Sequence, residues 1–142
     1  MSDALSRPHF DTIAARYAGA TGALDPLYDA VRGELDAAVA GKDVLDVGSG
    51  GIFAYDRRLA ASVTSLDLSP AMLARVPSGV ATVVADARDM SPLADASFDT
   101  VVFSLSLHHV VGGSLAETEE AQNTAVAEAF RVMRPGGRLI LY

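Results

Sequence analysis

The sequence contains no cysteine and no tryptophan, few aromatic residues and no long hydrophobic run. The lack of cysteine excludes disulfide bonds and thiolate metal sites, and it fits the reducing cytoplasm. No apolar stretch approaches the ~18 residues that a membrane-spanning helix needs. The first residues also lack the apolar segment of a signal peptide. We therefore expect a cytoplasmic protein with no bound metal and no membrane association.

Positive charge is scarce as well. Eleven Lys and Arg stand against 18 Asp and Glu, which gives a net charge of −7. The phosphate backbone of a nucleic acid is a poor partner for such a chain, because the two repel each other. Half of the 142 residues are apolar, a share typical of globular proteins. This length predicts a single domain that is large enough to bury a core.

The most informative stretch is residues 43–53, where a short apolar run stops at a cluster of small residues. Residues 44–47 suit a strand buried on both faces, and residues 48–51 (Gly-Ser-Gly-Gly) follow at once. Residues 53–61 then predict a helix, which completes the first crossover of a doubly wound sheet. Glycine allows a tight turn and close approach of a ligand, and the helix N-terminus offers N–H groups to an anionic group. Asp46 adds a negative charge beside the turn, which favours a ligand that also carries an ammonium group.

Strands and helices alternate along the rest of the chain. We predict strands over 43–47, 63–67, 80–85, 98–104 and 138–142, and helices over 10–18, 26–40, 53–61, 70–76 and 114–134. This alternation predicts an α/β fold with a parallel sheet and right-handed crossovers. Ligands of such sheets bind at the carboxyl ends of the strands, so the residues that follow each strand are expected to converge.

Two strand ends carry acids with a definite chemistry. Asp67 lies 19 residues after Gly48, and an acid at this position accepts hydrogen bonds from a ribose diol in NAD-binding folds. Asp86 closes the third strand and suits an adenine amino group, because a carboxylate accepts from N–H. The turn lacks the last glycine of the dinucleotide fingerprint, however, and Asp46 would repel a pyrophosphate. NAD stays an alternative at this point, although a ligand without a pyrophosphate fits better.

Six stretches together resemble the class I S-adenosylmethionine-dependent methyltransferases, in the branch that acts on small molecules. They are residues 44–50, 66–73, 85–87, 97–102, 107–110 and 131–137. The resemblance implies a doubly wound, Rossmann-like, mostly parallel sheet with strand order 3-2-1-4-5 over residues 43–142. It also implies that N-terminal helices within residues 1–42 cover the cofactor, and residues 10–17 look like the lid helix of that branch.

The resemblance implies roles at the cofactor for individual positions. Asp46 and the backbone of the glycine turn would hold the methionine end of S-adenosylmethionine, with Tyr17 reaching its carboxylate and Ser104 beside it. Asp67 would accept from the ribose hydroxyls and Asp86 from the adenine amino group. With Leu68 packed on the adenine and Ala87 donating its N–H to a ring nitrogen, the expected set is Tyr17, Asp46, Gly48, Ser49, Gly50, Asp67, Leu68, Asp86, Ala87 and Ser104.

The implied reaction moves a methyl group from S-adenosylmethionine to an O, N or C atom of a small-molecule acceptor and leaves S-adenosylhomocysteine. The sulfonium already activates the methyl group, so the protein mainly aligns the reactants and excludes water. His109 and His108 follow the fourth strand and are candidate bases for an acceptor that must lose a proton. Residues 104–107 lack the Asn/Asp-Pro-Pro-Tyr/Phe motif of many enzymes that methylate exocyclic or amide nitrogens, which favours a small metabolite as acceptor.

The sequence departs from the family in two places. Ile52 stands where a third glycine is usual, so the turn or the helix start is expected to differ. The chain stops at Tyr142 inside the fifth strand, without the last two strands of the family. This leaves an apolar edge (139–141) and predicts truncation, a longer parent chain, or pairing with a partner such as a second copy in a homodimer. A cofactor-binding module without transfer activity and an NAD-dependent oxidoreductase are the alternatives to a methyltransferase.

Overall fold

The computed structural model describes residues 9–14 and 25–142. Its strands are β1 (Asp43–Val47), β2 (Ser62–Asp67), β3 (Ala81–Val84), β4 (Phe98–Phe103) and β5 (Met133–Leu141). They form one parallel sheet in the order β3-β2-β1-β4-β5. The α/β class and the strand order predicted from the sequence are confirmed.

Within residues 25–142 three α-helices accompany the sheet: α1 (Asp25–Val39), α2 (Pro70–Leu73) and α3 (Leu115–Val132). The Ser69 hydroxyl caps α2 by accepting the N–H of Met72 at 3.2 Å. Ser114 caps α3 in the same way, since it accepts the N–H of Glu117 at 3.2 Å. Residues 9–14 are helical, as predicted, and the remainder of the helix expected over 10–18 lies outside the described residues.

The helix predicted over residues 53–61 is wrong. Between β1 and β2 the chain forms only a short 3-10 turn, Arg57–Leu59. Two consecutive residues, Ala54 and Tyr55, are buried there, and the Tyr55 hydroxyl bonds to β1. These tertiary contacts override the local preference for a helix. No helix N-terminus therefore follows the glycine turn, and the anion site predicted from it is absent from this part of the structure.

The start of β5 also differs from the prediction. The strand begins at Met133, where α3 ends, instead of at residue 138. Its pairing with β4 is irregular between Phe98 and Thr100, so residues 135–137 form a bulge and not a break. Gly136 has a φ of 79° there, a left-handed conformation that favours glycine.

The core lies on both faces of the sheet. On one face, β1, β2 and β4 pack against α3 through Leu45, Leu66, Val101, Phe103, Ala125, Ala129 and Val132. On the other face, Val44, Val63 and Val102 pack against α1 and the segment after the glycine turn. Burial on both faces explains why apolar residues stand next to each other in β1 (Val44 and Leu45) and in β4 (Val101, Val102 and Phe103). Among the described residues, no helix is long and apolar enough to cross a membrane.

Candidate functional site

A cavity opens at the carboxyl ends of the strands, where a doubly wound sheet binds its ligands. Its wall combines the residues that follow four strands with one residue of the N-terminal helical segment. They are Phe10, Val47, Gly48, Leu66, Asp67, Leu68, Ser69, Met72, Ala85, Asp86, Ala87, Arg88, Phe103, Ser106, His109, Val110 and Val111. Of the residues expected at a cofactor, Gly48, Asp67, Leu68, Asp86 and Ala87 are thus brought together.

Asp67 is held in a fixed orientation at the tip of β2. Its Oδ1 accepts the N–H of Ser69 at 2.9 Å. Burial raises the pKa of the Asp67 carboxyl, and the backbone N–H groups of Ser69 and Leu68 act against that rise. The nearby charge of Asp11 raises the pKa further. The result is an oriented acceptor on the cavity wall, suited to a pair of ligand hydroxyl groups.

Asp86 lies on the same wall, where it forms an ion pair with Arg88. The Arg88 side chain donates from Nε to Oδ1 at 2.9 Å and from Nη2 to Oδ2 at 2.5 Å, and the Arg88 backbone N–H adds a bond of 2.8 Å. Such a two-pronged pair fixes the plane of the carboxylate. Arg88 also lines the cavity, and the sequence analysis missed it. Its position two residues after a strand-end acid was the available signal.

The glycine turn adopts a conformation that only glycine takes without strain. Gly48, Gly50 and Gly51 have φ values of 75°, 61° and 84°. A Cβ on Gly48 would stand 2.7 Å from Cβ of Ser106, so the segment that follows β4 (residues 104–114, the β4 loop) packs directly on this residue. The N–H of Gly48 donates to the carbonyl of Leu66 at 2.8 Å, so this N–H takes part in the hydrogen bonding between the end of β1 and β2. Ser106 lines the cavity and was also missed.

Asp46 is completely buried and does not line the cavity. Its Oδ2 accepts the hydroxyl of Tyr55 at 2.8 Å, whereas Oδ1 has no hydrogen-bond partner within the described part of the chain. Burial raises the pKa of Asp46 from 3.8 to about 7, against the lowering effect of the hydroxyls of Tyr55 and Ser49. The charge of Asp67 raises it further. Of the three acids expected to converge, two share the cavity and the third is buried next to it.

The other predicted positions lie away from the cavity wall. The Ser49 hydroxyl pairs with that of Ser65 at 3.4 Å, and Ser104 accepts the hydroxyl of Tyr142 at 2.9 Å. Neither of these serines, nor Gly50, lines the cavity. Tyr17 lies outside the described residues.

The N-terminal helical segment, residues 9–14, contacts the cavity from the side of the β4 loop. The ring of Phe10 stands edge-on to that of His109 with centroids 4.9 Å apart, and both residues line the cavity. Asp11 accepts a hydrogen bond from the Ser69 hydroxyl, which ties the segment to α2. These contacts place a short helix over the ligand side of the sheet.

His109 and His108 occupy different positions relative to the cavity. His109 lines it, whereas His108 does not, although the two rings lie 3.9 Å apart. Partial burial lowers the pKa of His109 below its usual value of 6.5, and the neighbouring His108 and His9 lower it further. At neutral pH the His109 ring is therefore neutral and able to accept a proton.

Comparisons with known proteins agree with this geometry. The profile of a family described as the methyltransferase domain matches residues 45–141. The ubiquinone biosynthesis O-methyltransferase of Xanthomonas oryzae pv. oryzae is 34% identical over 149 aligned positions, which cover 93% of this chain and 57% of that protein. The chain thus spans little more than half the length of the curated relatives it matches.

Two solved structures extend the comparison. DhpI in its complex with SAH superposes with a TM-score of 0.71 and 28% identity, over 93% of this chain and 64% of that one. A SAM-dependent methyltransferase of Thermotoga maritima has a TM-score of 0.73 at 19% identity, over 96% and 60%, and shows the fold alone. The sheet order and the cavity define a Rossmann-like domain of the methyltransferase type. The chain belongs to the methyltransferase domain family, and the predicted membership of class I S-adenosylmethionine-dependent methyltransferases is confirmed.

Proposed function

We propose that this chain binds S-adenosylmethionine and takes part in transferring its methyl group to an O, N or C atom of a small molecule. One observation carries the proposal. Asp67 and Asp86, from the ends of neighbouring strands, line one cavity together with Gly48, Leu68 and Ala87. An acid for a ribose diol and a second acid for an amino-substituted ring are the groups that an adenosyl ligand needs.

The described residues fit this cofactor in three further respects. The left-handed Gly48 has no side chain and so leaves room for Ser106, and both residues line the cavity. Leu68 and Val110 give the cavity apolar surface for a purine ring. The unpartnered Oδ1 of Asp46 offers a buried negative group to the ammonium of the methionine end. When bound, the cofactor would supply a methyl group that is activated by its sulfonium.

The chain's own contribution to the reaction would be binding, alignment and exclusion of water. The N-terminal residues 1–42 would act as a lid over the core of residues 43–142, and the contacts of Phe10 and Asp11 support this role. A ring nitrogen of His109 would take up the proton that the methyl-accepting molecule loses, since this ring lines the cavity. His108 is the second candidate base. Its ring lies next to that of His109, and it lowers the pKa of His109.

The acceptor class rests on two observations. The 34% identical Xanthomonas relative is named as an O-methyltransferase of ubiquinone biosynthesis, which supports a small-molecule acceptor. In this sequence the residues after β4 are Ser-Leu-Ser-Leu, without the proline pair of many nitrogen methyltransferases.

Self-association of the chain would involve the edge strand β5, where Leu141 is exposed. Sedimentation velocity at increasing concentration would test it.

Cofactor binding is tested by calorimetry with S-adenosylhomocysteine. Asp67→Ala should weaken binding by roughly ten- to a hundredfold, because hydrogen bonds to a charged acceptor contribute about 1.5–3 kcal/mol. Asp89→Ala is the matched control: this acid is exposed, does not line the cavity and should leave the affinity unchanged. Undiminished affinity in Asp67→Ala would contradict the proposed site.

Binding without transfer is the second candidate function. The chain spans 57% of its Xanthomonas relative, so the acceptor contacts of that protein need not all have counterparts here. Incubation of the chain with S-adenosylmethionine and a panel of phenols, amines and carboxylates distinguishes the two. Turnover by the chain alone would eliminate the binding module. An NAD-dependent oxidoreductase, in contrast, requires enhanced NADH fluorescence on mixing.

A further inference from the structure

Tyr55 and Asp46 form a buried polar pair beside the cavity. The exposed fractions of the two residues are 3% and 0%. The Tyr55 hydroxyl donates to Oδ2 of Asp46 at 2.8 Å, and the Tyr55 ring is packed edge-on against Phe53 at 5.7 Å. The hydroxyl therefore has a fixed direction. One carboxylate oxygen is occupied and the other, Oδ1, is left without a partner within the described residues.

The surroundings of this pair hold negative or neutral groups. Asp67 at the tip of β2 acts on the Asp46 carboxylate as a like charge, and the hydroxyl of Ser49 in the glycine turn lies close to it. Tyr142, after β5, acts electrostatically on Tyr55. A buried carboxylate in such a place is costly unless a cation or further donors complete it. The ammonium group of an amino-acid ligand is such a cation.

We propose that Tyr55 is a positioning residue for the cofactor, which favours the ionised form of Asp46 and leaves Oδ1 to receive the ammonium group. The inference rests on the proposed function, because it assumes that the ligand carries an amino acid. The hydroxyl of Tyr55 does not touch the ligand itself; it acts through Asp46. Recognition of the amino-acid end then depends on the ionisation of Asp46, whereas recognition of the adenosine end does not.

The direction of this dependence follows from the titration of Asp46. With Tyr55 in place, burial raises the pKa of Asp46 to about 7, while the Tyr55 hydroxyl lowers it. An ammonium group prefers the ionised carboxylate, so affinity is complete above this pKa and falls by up to about tenfold per pH unit below it. Loss of the hydroxyl raises the pKa, and the same fall then begins at a higher pH.

The experiment measures by calorimetry how tightly the chain binds each of two ligands, from about pH 6 to about pH 8.5. S-adenosylhomocysteine carries the amino acid, and 5′-methylthioadenosine lacks it. Tyr55→Phe should weaken S-adenosylhomocysteine binding by about tenfold near pH 7 and by no more than about twofold at the upper end of the range. Its affinity for 5′-methylthioadenosine should stay within about twofold of wild type throughout.

Two further variants serve as controls. Thr100→Val removes a different buried hydroxyl, which donates to the Ala38 carbonyl at a distance of 3.0 Å. Thr100 does not line the cavity, so this variant should bind both ligands like wild type. Asp46→Asn removes the charge, so its affinity for S-adenosylhomocysteine should be weak and independent of pH. If Tyr55→Phe does not fold, the wild-type chain still tests the proposal. Its preference for S-adenosylhomocysteine over 5′-methylthioadenosine must decline below about pH 7.

Several outcomes would overturn the inference. A loss of affinity in Tyr55→Phe that is equal for both ligands, or that has the same factor at every pH, would show that Tyr55 acts only through packing. An unchanged pH profile in that variant, or a wild-type preference that is flat with pH, would also refute it. If the wild-type chain binds neither ligand, the proposed function fails and the inference with it. Binding of both ligands without the pH shift refutes the inference alone.

Discussion

Replacing Asp46 with asparagine should change how the stability of the chain depends on pH. In the folded chain the pKa of Asp46 is about 7, against 3.8 for an ordinary carboxyl. The folded state therefore holds a proton that the unfolded state releases between these values, and the free energy of unfolding of wild type falls as the pH rises through this window. A shift of about three pH units corresponds to a loss of about 4 kcal/mol, complete above pH 7.

The asparagine variant has no such titration, and its side-chain oxygen can still accept from Tyr55. The difference in unfolding free energy between variant and wild type should therefore rise by about 4 kcal/mol from pH 4 to pH 7 in favour of the variant and then stay constant. Urea denaturation followed by circular dichroism at steps of about half a pH unit measures it. Thr100→Val, which removes no charge, should differ from wild type by a constant amount. A constant difference for Asp46→Asn as well would refute the reasoning.

Two further predictions concern the walls of the cavity. Gly48→Ala should lower the unfolding free energy by roughly 1–3 kcal/mol in urea denaturation, since its φ of 75° is left-handed and the new Cβ would stand 2.7 Å from that of Ser106. The loss should be smaller when Gly48→Ala is made in a Ser106→Gly background, and an equal loss in both backgrounds would mean that strain alone is responsible. Phe10→Ala should raise the pKa of His109, measured by NMR titration, because it uncovers a ring whose burial lowers that pKa. An unchanged titration would show that Phe10 does not shield the ring.

Local sequence patterns were sufficient to predict the sheet and the two acids on the cavity wall. Short apolar runs placed β1 and β4, alternation with helices placed the other strands, and parallel strands necessarily bring their carboxyl ends to one edge. Asp67 and Asp86 could therefore be assigned to one cavity from their positions in the chain alone. The order of the strands came from the family resemblance and not from the pattern.

The remaining features depend on contacts between distant residues. The segment after the glycine turn has helix-compatible residues, but Tyr55 bonds to Asp46 nine positions earlier and is buried beside Ala54. A periodicity argument weighs neighbours along the helix and cannot include such a bond. Ser106 reaches Gly48 across 58 positions, and its role was equally hidden from the sequence. Of these two residues, Ser106 lines the cavity and Tyr55 is buried behind it.

The position of Ser106 limits how this loop can be redesigned. Its hydroxyl donates to the carbonyl of Val47 at 2.5 Å while its Cβ lies against Gly48, so the side chain is enclosed by β1. A larger residue at this position would press on the glycine turn or extend into the cavity that Ser106 lines. Changes to the cavity wall that spare this contact are available farther along the loop, at Val110 and Val111, which also line the cavity.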